Sequence, residues 1–167
     1  TKQTYDNIEI IVVDDNTAND TYQRATEEKL QPFIKQQRIT YIKHPKNSGG
    51  CKARNTGAKA ATGEFIAFLD DDDYYEPTKL TKQLNFLKAH PHLDACMCSM
   101  YREDENKNRI ESRENIARGT TLKNTILDGN LFTSMLLIKK TVFDALDGFS
   151  EIPRFQDKYF HLKFLKS

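Results

Sequence analysis

Residues 64–73 read Glu-Phe-Ile-Ala-Phe-Leu-Asp-Asp-Asp-Asp, a short apolar run that ends abruptly in four consecutive carboxylates. Residues 8–15 repeat the arrangement, Ile-Glu-Ile-Ile-Val-Val running straight into Asp14-Asp15. A short, almost continuously apolar run rich in β-branched and aromatic residues is the pattern of a strand covered on both faces. Strand-like and helix-like segments alternate from residue 8 onward, so the sequence predicts an α/β fold. Its central sheet should be mainly parallel, with helices on both faces. Ligands of such sheets bind beyond the carboxyl ends of the strands, and both acidic clusters lie at such ends. Carboxylates crowded at one rim repel each other unless a cation sits among them, which calls for a metal or a cationic partner.

The rest of the chain fills in this frame. Asn19 or Asp20 caps a helix predicted to run to about Leu30, with Pro32 disturbing its end. Ile39–Ile42 is a second strand, Pro45–Gly50 a loop, and Cys51–Ala61 a helix closed by Gly63 as C-cap. Pro77 suits the first turn of a further helix, in which Leu80, Leu84 and Leu87 make one buried stripe. Pro91 stops it, and Ala95–Tyr101 is a fourth strand. Residues 102–119, polar and mixed in charge, read as a long exposed hairpin or mobile loop. Leu122–Leu127 is a short helix, Met135–Lys139 a strand, Thr141–Leu146 a helix closed near Gly148, and Phe155–Leu165 a last helix.

Composition excludes several classes. Lys and Arg number 25 against 24 Asp and Glu, a net charge of 25 − 24 = +1, without the surplus of basic residues that phosphate backbones select. No nucleic-acid partner is expected. No stretch approaches the length of a membrane span, and no secretory leader is visible. Cys51, Cys96 and Cys98 form neither a zinc site nor a disulfide framework. They read as small buried hydrophobes of a reducing, cytoplasmic protein.

Each motif has a functional and a plainer reading. Asp70–Asp73 supplies hard oxygen ligands suited to Mg²⁺ or Mn²⁺ bridging the phosphates of a substrate. An acidic solvated turn facing the next helix dipole is the alternative, but four Asp in a row exceed what capping needs. Asp14 and Asp15 could accept hydrogen bonds from a base or ribose, or serve capping at Asn16–Asp20. Asn47-Ser48-Gly49-Gly50-Cys51-Lys52-Ala53-Arg54-Asn55 joins a glycine turn to a helix start, where exposed N–H groups with Lys52 or Arg54 favour an anion. An ordinary loop entering a helix would read the same way. Asp157 near the last helix start is either functional or a favourable charge at a dipole. His44, His90, His92 and His161 have no metal-ligand spacing.

Taken together, Ile10–Thr17, Asn47-Ser48-Gly49 with Ala53-Arg54-Asn55, and Gly63–Asp73 resemble the GT-A glycosyltransferases of family 2, in order, spacing and strand context. Phe143–Phe149 and Phe155-Gln156-Asp157 resemble the family's later region more loosely. The resemblance implies a Rossmann-like GT-A domain over residues 1–167. Residues 1–100 would be its nucleotide-binding half, 101–119 the polar loop and 120–167 the acceptor and catalytic half. It implies a nucleotide-sugar donor, most often UDP-linked, a divalent Mn²⁺ or Mg²⁺, and inverting transfer to a glycan or lipid-linked acceptor in polysaccharide or glycolipid assembly. By position, Asp15 would bind the base, and Asp14 beside it is a further cofactor-binding candidate. Gly49 and Arg54 would lie near the nucleotide, and Asp71 would contact ribose or metal. Asp70 and Asp72 form the Asp-x-Asp, with Asp72 the direct metal ligand, and Asp157 matches the general base.

Family members open with a strand ending in Pro-x-Tyr-Asn, whereas Thr1–Asn7 resembles the stretch before the second family strand, and Ser167 follows soon after Asp157. The resemblance therefore implies a piece of a longer protein, associated with a membrane face through other segments. Two alternatives remain at this stage. A receiver-type signalling domain also places acidic residues at strand ends and needs a Lys, Lys139 or Lys140, at a later strand end. A non-catalytic nucleotide-binding module would keep the pocket and lack the chemistry.

Overall fold

A computed structural model describes residues 2–110, 132–152 and 154–167. The elements run β1 (Ile11–Asp14), α1 (Thr21–Lys35), β2 (Thr40–Lys43), α2 (Gly50–Ala60), β3 (Phe65–Ala67), α3 (Lys79–Ala89), β4 (Ala95–Met97), β5 (Arg102–Glu103) and β6 (Arg109–Ile110). A 3₁₀ turn (Thr133–Met135), β7 (Leu136–Lys139), α4 (Lys140–Ala145) and α5 (Gln156–Phe164) follow. The α/β alternation expected from the apolar runs is present.

Strand direction differs in one respect from the expectation. β1 and β2 pair in parallel, Ile11 opposite Thr40 and Asp14 opposite Lys43. β7 instead lies between β3 and β4 and is antiparallel to both, with Ile138 opposite Ile66 on one side and Ala95 on the other. An apolar run reports burial on two faces and carries no information on direction, which is why β7 read as another parallel strand. β5 and β6 form an antiparallel hairpin whose turn is closed by Asp104, accepting from the backbone N–H groups of Asn106 and Asn108 at 2.8 Å each. That hairpin is the described part of the polar segment 102–119; its remainder, and the helix expected over Leu122–Leu127, lie outside the described residues.

Side chains alternate across the β3–β7–β4 sheet as period two demands. Ile66, Leu136 and Ile138 enter one core with Cys51, Ala58, Phe68, Phe143, Phe149 and Phe160. Phe65, Ala67 and Leu137 face the other way, where Leu84 and Leu87 of α3 cover them. Burial of each such side chain stabilises by roughly 1.5–3 kcal/mol. The first core is aromatic: Phe143, Phe149 and Phe160 meet pairwise with ring centroids 4.8–5.5 Å apart. Leu80, Leu84 and Leu87 form the buried stripe expected of α3.

Three punctuation signals act differently from expectation. Pro32 lies inside α1, which Asp20 caps by accepting from the Gln23 N–H at 2.7 Å. Only one ladder bond is lost at a proline near a helix end, so packing carries the helix past it. Gly63 is not the cap of α2, which ends in extended backbone at Ala61. Pro77 precedes the α3 cap, Thr78, rather than opening the first turn.

Two polar fixtures join these layers. At the end of β1, Asp14 is 4% exposed and accepts from the Tyr41 hydroxyl of β2 at 2.5 Å and from the Asn16 backbone and amide N–H at 2.9 and 2.8 Å. Burial first, then this bond to a carboxylate, pushes the Tyr41 phenol well above its ordinary range. After α4 the chain turns through Gly148, at φ +56°, where an added Cβ would stand 2.5 Å from Oδ1 of Asn55. Tyr41→Phe leaves a buried carboxylate short of a donor and should cost about 1–3 kcal/mol in urea unfolding. Gly148→Ala combines left-handed backbone strain with displacement of Asn55, and the same measurement should show a loss of about 2–3 kcal/mol.

Candidate active site

The site is assembled around α2. Its sequence, Gly-Cys-Lys-Ala-Arg-Asn-Thr-Gly-Ala-Lys-Ala, contains no acidic residue in the first turn, so the exposed N–H groups at its start need an anion from elsewhere. Asp15, directly after β1, meets the turn just ahead of them. Its carboxylate accepts from the Ser48 N–H at 2.9 Å and the Gly49 N–H at 2.7 Å. Gly49 takes φ +88°, a left-handed turn open to glycine. Of the N–H groups expected to receive an anionic ligand, those of Ser48 and Gly49 are therefore taken up by Asp15 itself, while those of Gly50, Cys51 and Lys52 are engaged by no bond among the described residues. His44 adds a third bond to that carboxylate, with Nδ1 2.7 Å from Oδ1, and its Nε2 lies 2.9 Å from the Thr56 hydroxyl of α2.

One turn into α2, Arg54 points to the second acidic cluster and donates to Asp70 Oδ1 at 2.6 Å. The helix and the turn that leads into it thus hold one residue of each aspartate run, Asp70 and Asp15. Asp71, Asp72 and Asp73 are exposed, and no side-chain hydrogen bond or ion pair engages them among the described residues. Tyr75 anchors the loop beyond them by donating its hydroxyl to the Phe68 carbonyl.

The next residue of α2 ties in the C-terminal part. Asn55 donates to the Phe149 carbonyl at 2.8 Å and accepts from the Phe149 N–H at 2.9 Å. Cys51, buried and free, bonds the Ser150 carbonyl through Sγ at 3.2 Å. Burial chiefly pushes its thiol up, while Arg54 lowers it and Asp157 raises it, so the fields of both reach this one atom. Asp157 is the second residue of α5 and accepts from the hydroxyl of Thr133, itself 1% exposed. Thr133 lies just before β7, and the antiparallel register puts that end of β7 beside the carboxyl end of β3. Asp157 therefore belongs to the rim that carries Asp70. On the same helix His161 is buried, its pKa lowered chiefly by desolvation, with Nδ1 2.6 Å from the Asp157 carbonyl.

The candidate residues thus divide by role. Asp15, Gly49, Arg54, Asp70, Asp71, Asp72 and Asp157 share the rim. Asp14 is turned inward and bonded at both oxygens by Tyr41 and Asn16, which makes it a joint between strands rather than a group facing a ligand. Lys139 and Lys140 pair with Asp94 and Asp144 at 2.8 and 2.7 Å. They sit at the opposite end of β7, beside the start of β3, where no receiver-type site could use them. Sequence reading gave no role to His44, Thr56, Tyr41 or Thr133, whose partners lie far away in the chain and leave no local spacing signal.

Among the described residues no three His, Cys, Asp or Glu side chains gather closely enough to hold an ion unaided. Mg²⁺ and similar ions are commonly bound by one or two carboxylates, with substrate phosphates and water completing the shell. Asp72 and Asp70, hard oxygen donors at an open rim, fit a shell of that kind.

The model for Glycosyl transferase family 2 matches residues 1–150. The chain is 43% identical over 87 residues to an Escherichia coli UDP-Glc:alpha-D-GlcNAc-diphosphoundecaprenol beta-1,3-glucosyltransferase, WfaP, covering 52% of this chain and 32% of that protein. An uncharacterized glycosyltransferase of Haemophilus influenzae is 32% identical over 173 residues, 99% of this chain and 55% of its own length. Among solved structures, Staphylococcus aureus TarS 1–349 superposes with a TM-score of 0.74 at 25% identity, over 98% of this chain and 48% of TarS. The mannosyltransferase PcManGT of Pyrobaculum calidifontis, in complex with GDP-Man and Mn²⁺, has a TM-score of 0.67 at 18% identity, over 98% and 45% of the two chains, and shares the fold. The chain spans between about a third and a little over half of these proteins. With the family match extending over residues 1–150 and this α/β architecture, the chain belongs to glycosyl transferase family 2 and has the GT-A fold.

Proposed function

We propose that the protein, through this domain, transfers a sugar from a UDP-sugar to an acceptor hydroxyl, with inversion and with Mn²⁺ or Mg²⁺ bound. The observation that carries this reading is the helix α2, whose start is bonded by Asp15 and whose Arg54 holds Asp70 2.6 Å away. Two carboxylate clusters distant in sequence then serve one ligand. The names of relatives support the chemistry at a coarser level: WfaP uses UDP-glucose, and PcManGT is described with GDP-mannose and Mn²⁺.

Asp15 accepts a hydrogen bond from the nucleobase, Gly49 lets the nucleotide approach its turn, and Arg54 lies beside the nucleotide. Asp71 meets the ribose, and Asp72 with Asp70 holds the metal. The metal supplies positive charge against the diphosphate as the leaving group gains negative charge. Asp157 removes the proton of the attacking hydroxyl, with Thr133 fixing one of its oxygens and leaving the other for the acceptor. A single carboxylate base, with no second carboxylate as nucleophile, accords with one displacement and inversion. The acceptor is a glycan or a lipid-linked saccharide, the latter supported by the diphosphoundecaprenol in the WfaP name. No described helix is long and apolar enough to cross a membrane, and the domain works at the cytoplasmic face through peripheral association.

Calorimetry with UDP, GDP and dTDP, with and without Mn²⁺, tests the donor assignment; UDP should bind with Mn²⁺ dependence. Asp72→Asn should abolish the Mn²⁺-dependent part of UDP affinity, and unchanged affinity in the variant would contradict the metal role. Asp157→Asn should lower transfer to a lipid-diphosphate-linked acceptor by about 10²–10⁴-fold while UDP affinity stays within about twofold. A parallel fall in affinity and transfer would remove Asp157 from the base role. Tight Mn²⁺-dependent UDP binding with no transfer would mark a binding module instead.

A further inference from the structure

His44 occupies an unusual place for a histidine of no evident motif. It is 8% exposed, and all three of its polar groups beyond the backbone N–H are engaged. Nδ1 faces Asp15 Oδ1 at 2.7 Å, Nε2 faces Thr56 Oγ1 at 2.9 Å, and the carbonyl accepts from the buried amide of Gln23 at 3.3 Å. Its backbone N–H donates to the Asp14 carbonyl at 2.9 Å, which continues the β1–β2 ladder to the very end of the strands. The ring is therefore clamped on both nitrogens between the Asp15 loop and α2.

The hydrogen placement follows from the partners. An ionised carboxylate only accepts, so Nδ1 must carry its hydrogen toward Asp15. In the neutral ring Nε2 is then the acceptor, and Thr56 fills it with a hydroxyl hydrogen. The opposite neutral tautomer would set a lone pair against the carboxylate. Asp15 in turn receives three N–H hydrogens: from His44 on Oδ1, from Gly49 on Oδ2, and from Ser48 shared between Oδ1 at 2.9 Å and Oδ2 at 3.1 Å. A carboxylate offers about four lone-pair directions. The Ser48 N–H bridges the two oxygens, so each oxygen faces two donors, and His44 is the one side chain among them, the others being backbone groups of the glycine turn.

We propose that His44 is the positioning residue of the nucleotide site: Thr56 holds the ring in place at Nε2, and the Nδ1 hydrogen holds Asp15 in the orientation that it presents to the bound nucleotide. The proposal rests on the reading of Asp15 as a nucleotide-binding residue. It goes beyond that reading by assigning the orientation of Asp15 to a two-residue relay from α2. A purely structural staple would look the same in a static picture, so the test separates geometry at Asp15 from stability.

The probe is UDP with Mn²⁺, measured by calorimetry on the 167-residue chain, with melting temperatures recorded alongside. His44→Leu removes the donor and should weaken UDP by about tenfold or more, the scale of a lost hydrogen bond to a charged group. His44→Asn returns an N–H near the Nδ1 position and should restore affinity to within about threefold. Thr56→Val is isosteric and loses only the hydroxyl, so it keeps the proposal testable should the leucine variant fail to fold. It should weaken UDP severalfold while the chain stays folded, with a melting temperature lowered because the buried Nε2 loses its partner. Long-range ¹⁵N–¹H spectra, with the His44 signals identified by their loss in His44→Asn, should show a protonated Nδ1 and a bare Nε2. A protonated Nε2 with a bare Nδ1 overturns the proposal, as does equal UDP affinity in wild type and Thr56→Val. Loss in His44→Asn as large as in His44→Leu, at matched stability, also overturns it. If the wild type binds no UDP while the spectra show the expected tautomer, the failure lies in the reading of Asp15, and the proposal falls with it.

Discussion

Asn55 is paired through both ends of its amide with the backbone of a single distant residue, Phe149, at 2.8 and 2.9 Å, and the rim of the sheet depends on that clamp. A side-chain amide that satisfies one N–H and one C=O of the same residue replaces a missing piece of ladder. It fixes the loop after α4 where regular structure cannot reach. Gly148 has no side chain because Asn55 stands there. Phe149 can enter the aromatic core only while this loop is held, and the core in turn seats Phe160 of α5, three residues beyond Asp157. Arg54, the preceding residue, reaches the other way to Asp70. Adjacent positions on one helix thus fix both the acidic run and the start of the segment bearing Asp157.

Polar burial at this rim is extensive; at the ends of β1 and β2 its cost is contained by pairing, whereas beside Asp157 the buried Nε2 of His161 and Oγ of Ser134 have no partner among the described residues. Asp14 and His44 are nearly inaccessible, yet each is hydrogen-bonded at its polar side-chain atoms. Gln23 spans the Asn16 and His44 carbonyls at 3.4 and 3.3 Å, closing the gap between the ends of β1 and β2. An unpaired group there would cost about 1–3 kcal/mol, so the network constrains the strand ends to one arrangement. That rigidity is what a ligand site at strand termini needs.

The legible part of the molecule was the part written in local periodicity. Residues 8–13 and 64–69 announced β1 and β3, and the Leu80–Leu84–Leu87 spacing announced α3, because burial imposes a period on contiguous residues. The placement of β7 was invisible, since Leu136–Lys139 has the same apolar signature whichever way it runs. Pro32, Gly63 and Pro77 misled for a related reason: each states what the backbone tolerates, and tertiary packing chooses among tolerated positions. At the site, the acidic runs were conspicuous because consecutive carboxylates are improbable without a purpose. Their division of labour was not. Asp14 and Asp15 are indistinguishable in sequence, but strand alternation sends one inward to Tyr41 and the other outward to the glycine turn. His44 and Thr133 acquire meaning only from partners 29 and 24 residues away.

The exposure of the second acidic run completes the physical picture. Had Asp71, Asp72 and Asp73 been buried beside Asp70, their mutual repulsion in a low dielectric would have to be relieved by a permanently bound cation. In water the repulsion between two carboxylates a few ångströms apart is only about 1 kcal/mol, and one guanidinium already offsets the charge of Asp70. The loop can therefore hold its shape through Tyr75, Arg54, the Asp73 N–H on the Asp70 carbonyl and the Tyr74 hydroxyl on Glu103, leaving the outer carboxylates uncommitted. As proposed, Asp72 and Asp70 would hold a cation there, and it would supply positive charge against a diphosphate. On the proposed reading, cation and donor bind as a unit to a rim made ready by α2, so that the strength of either depends on the other.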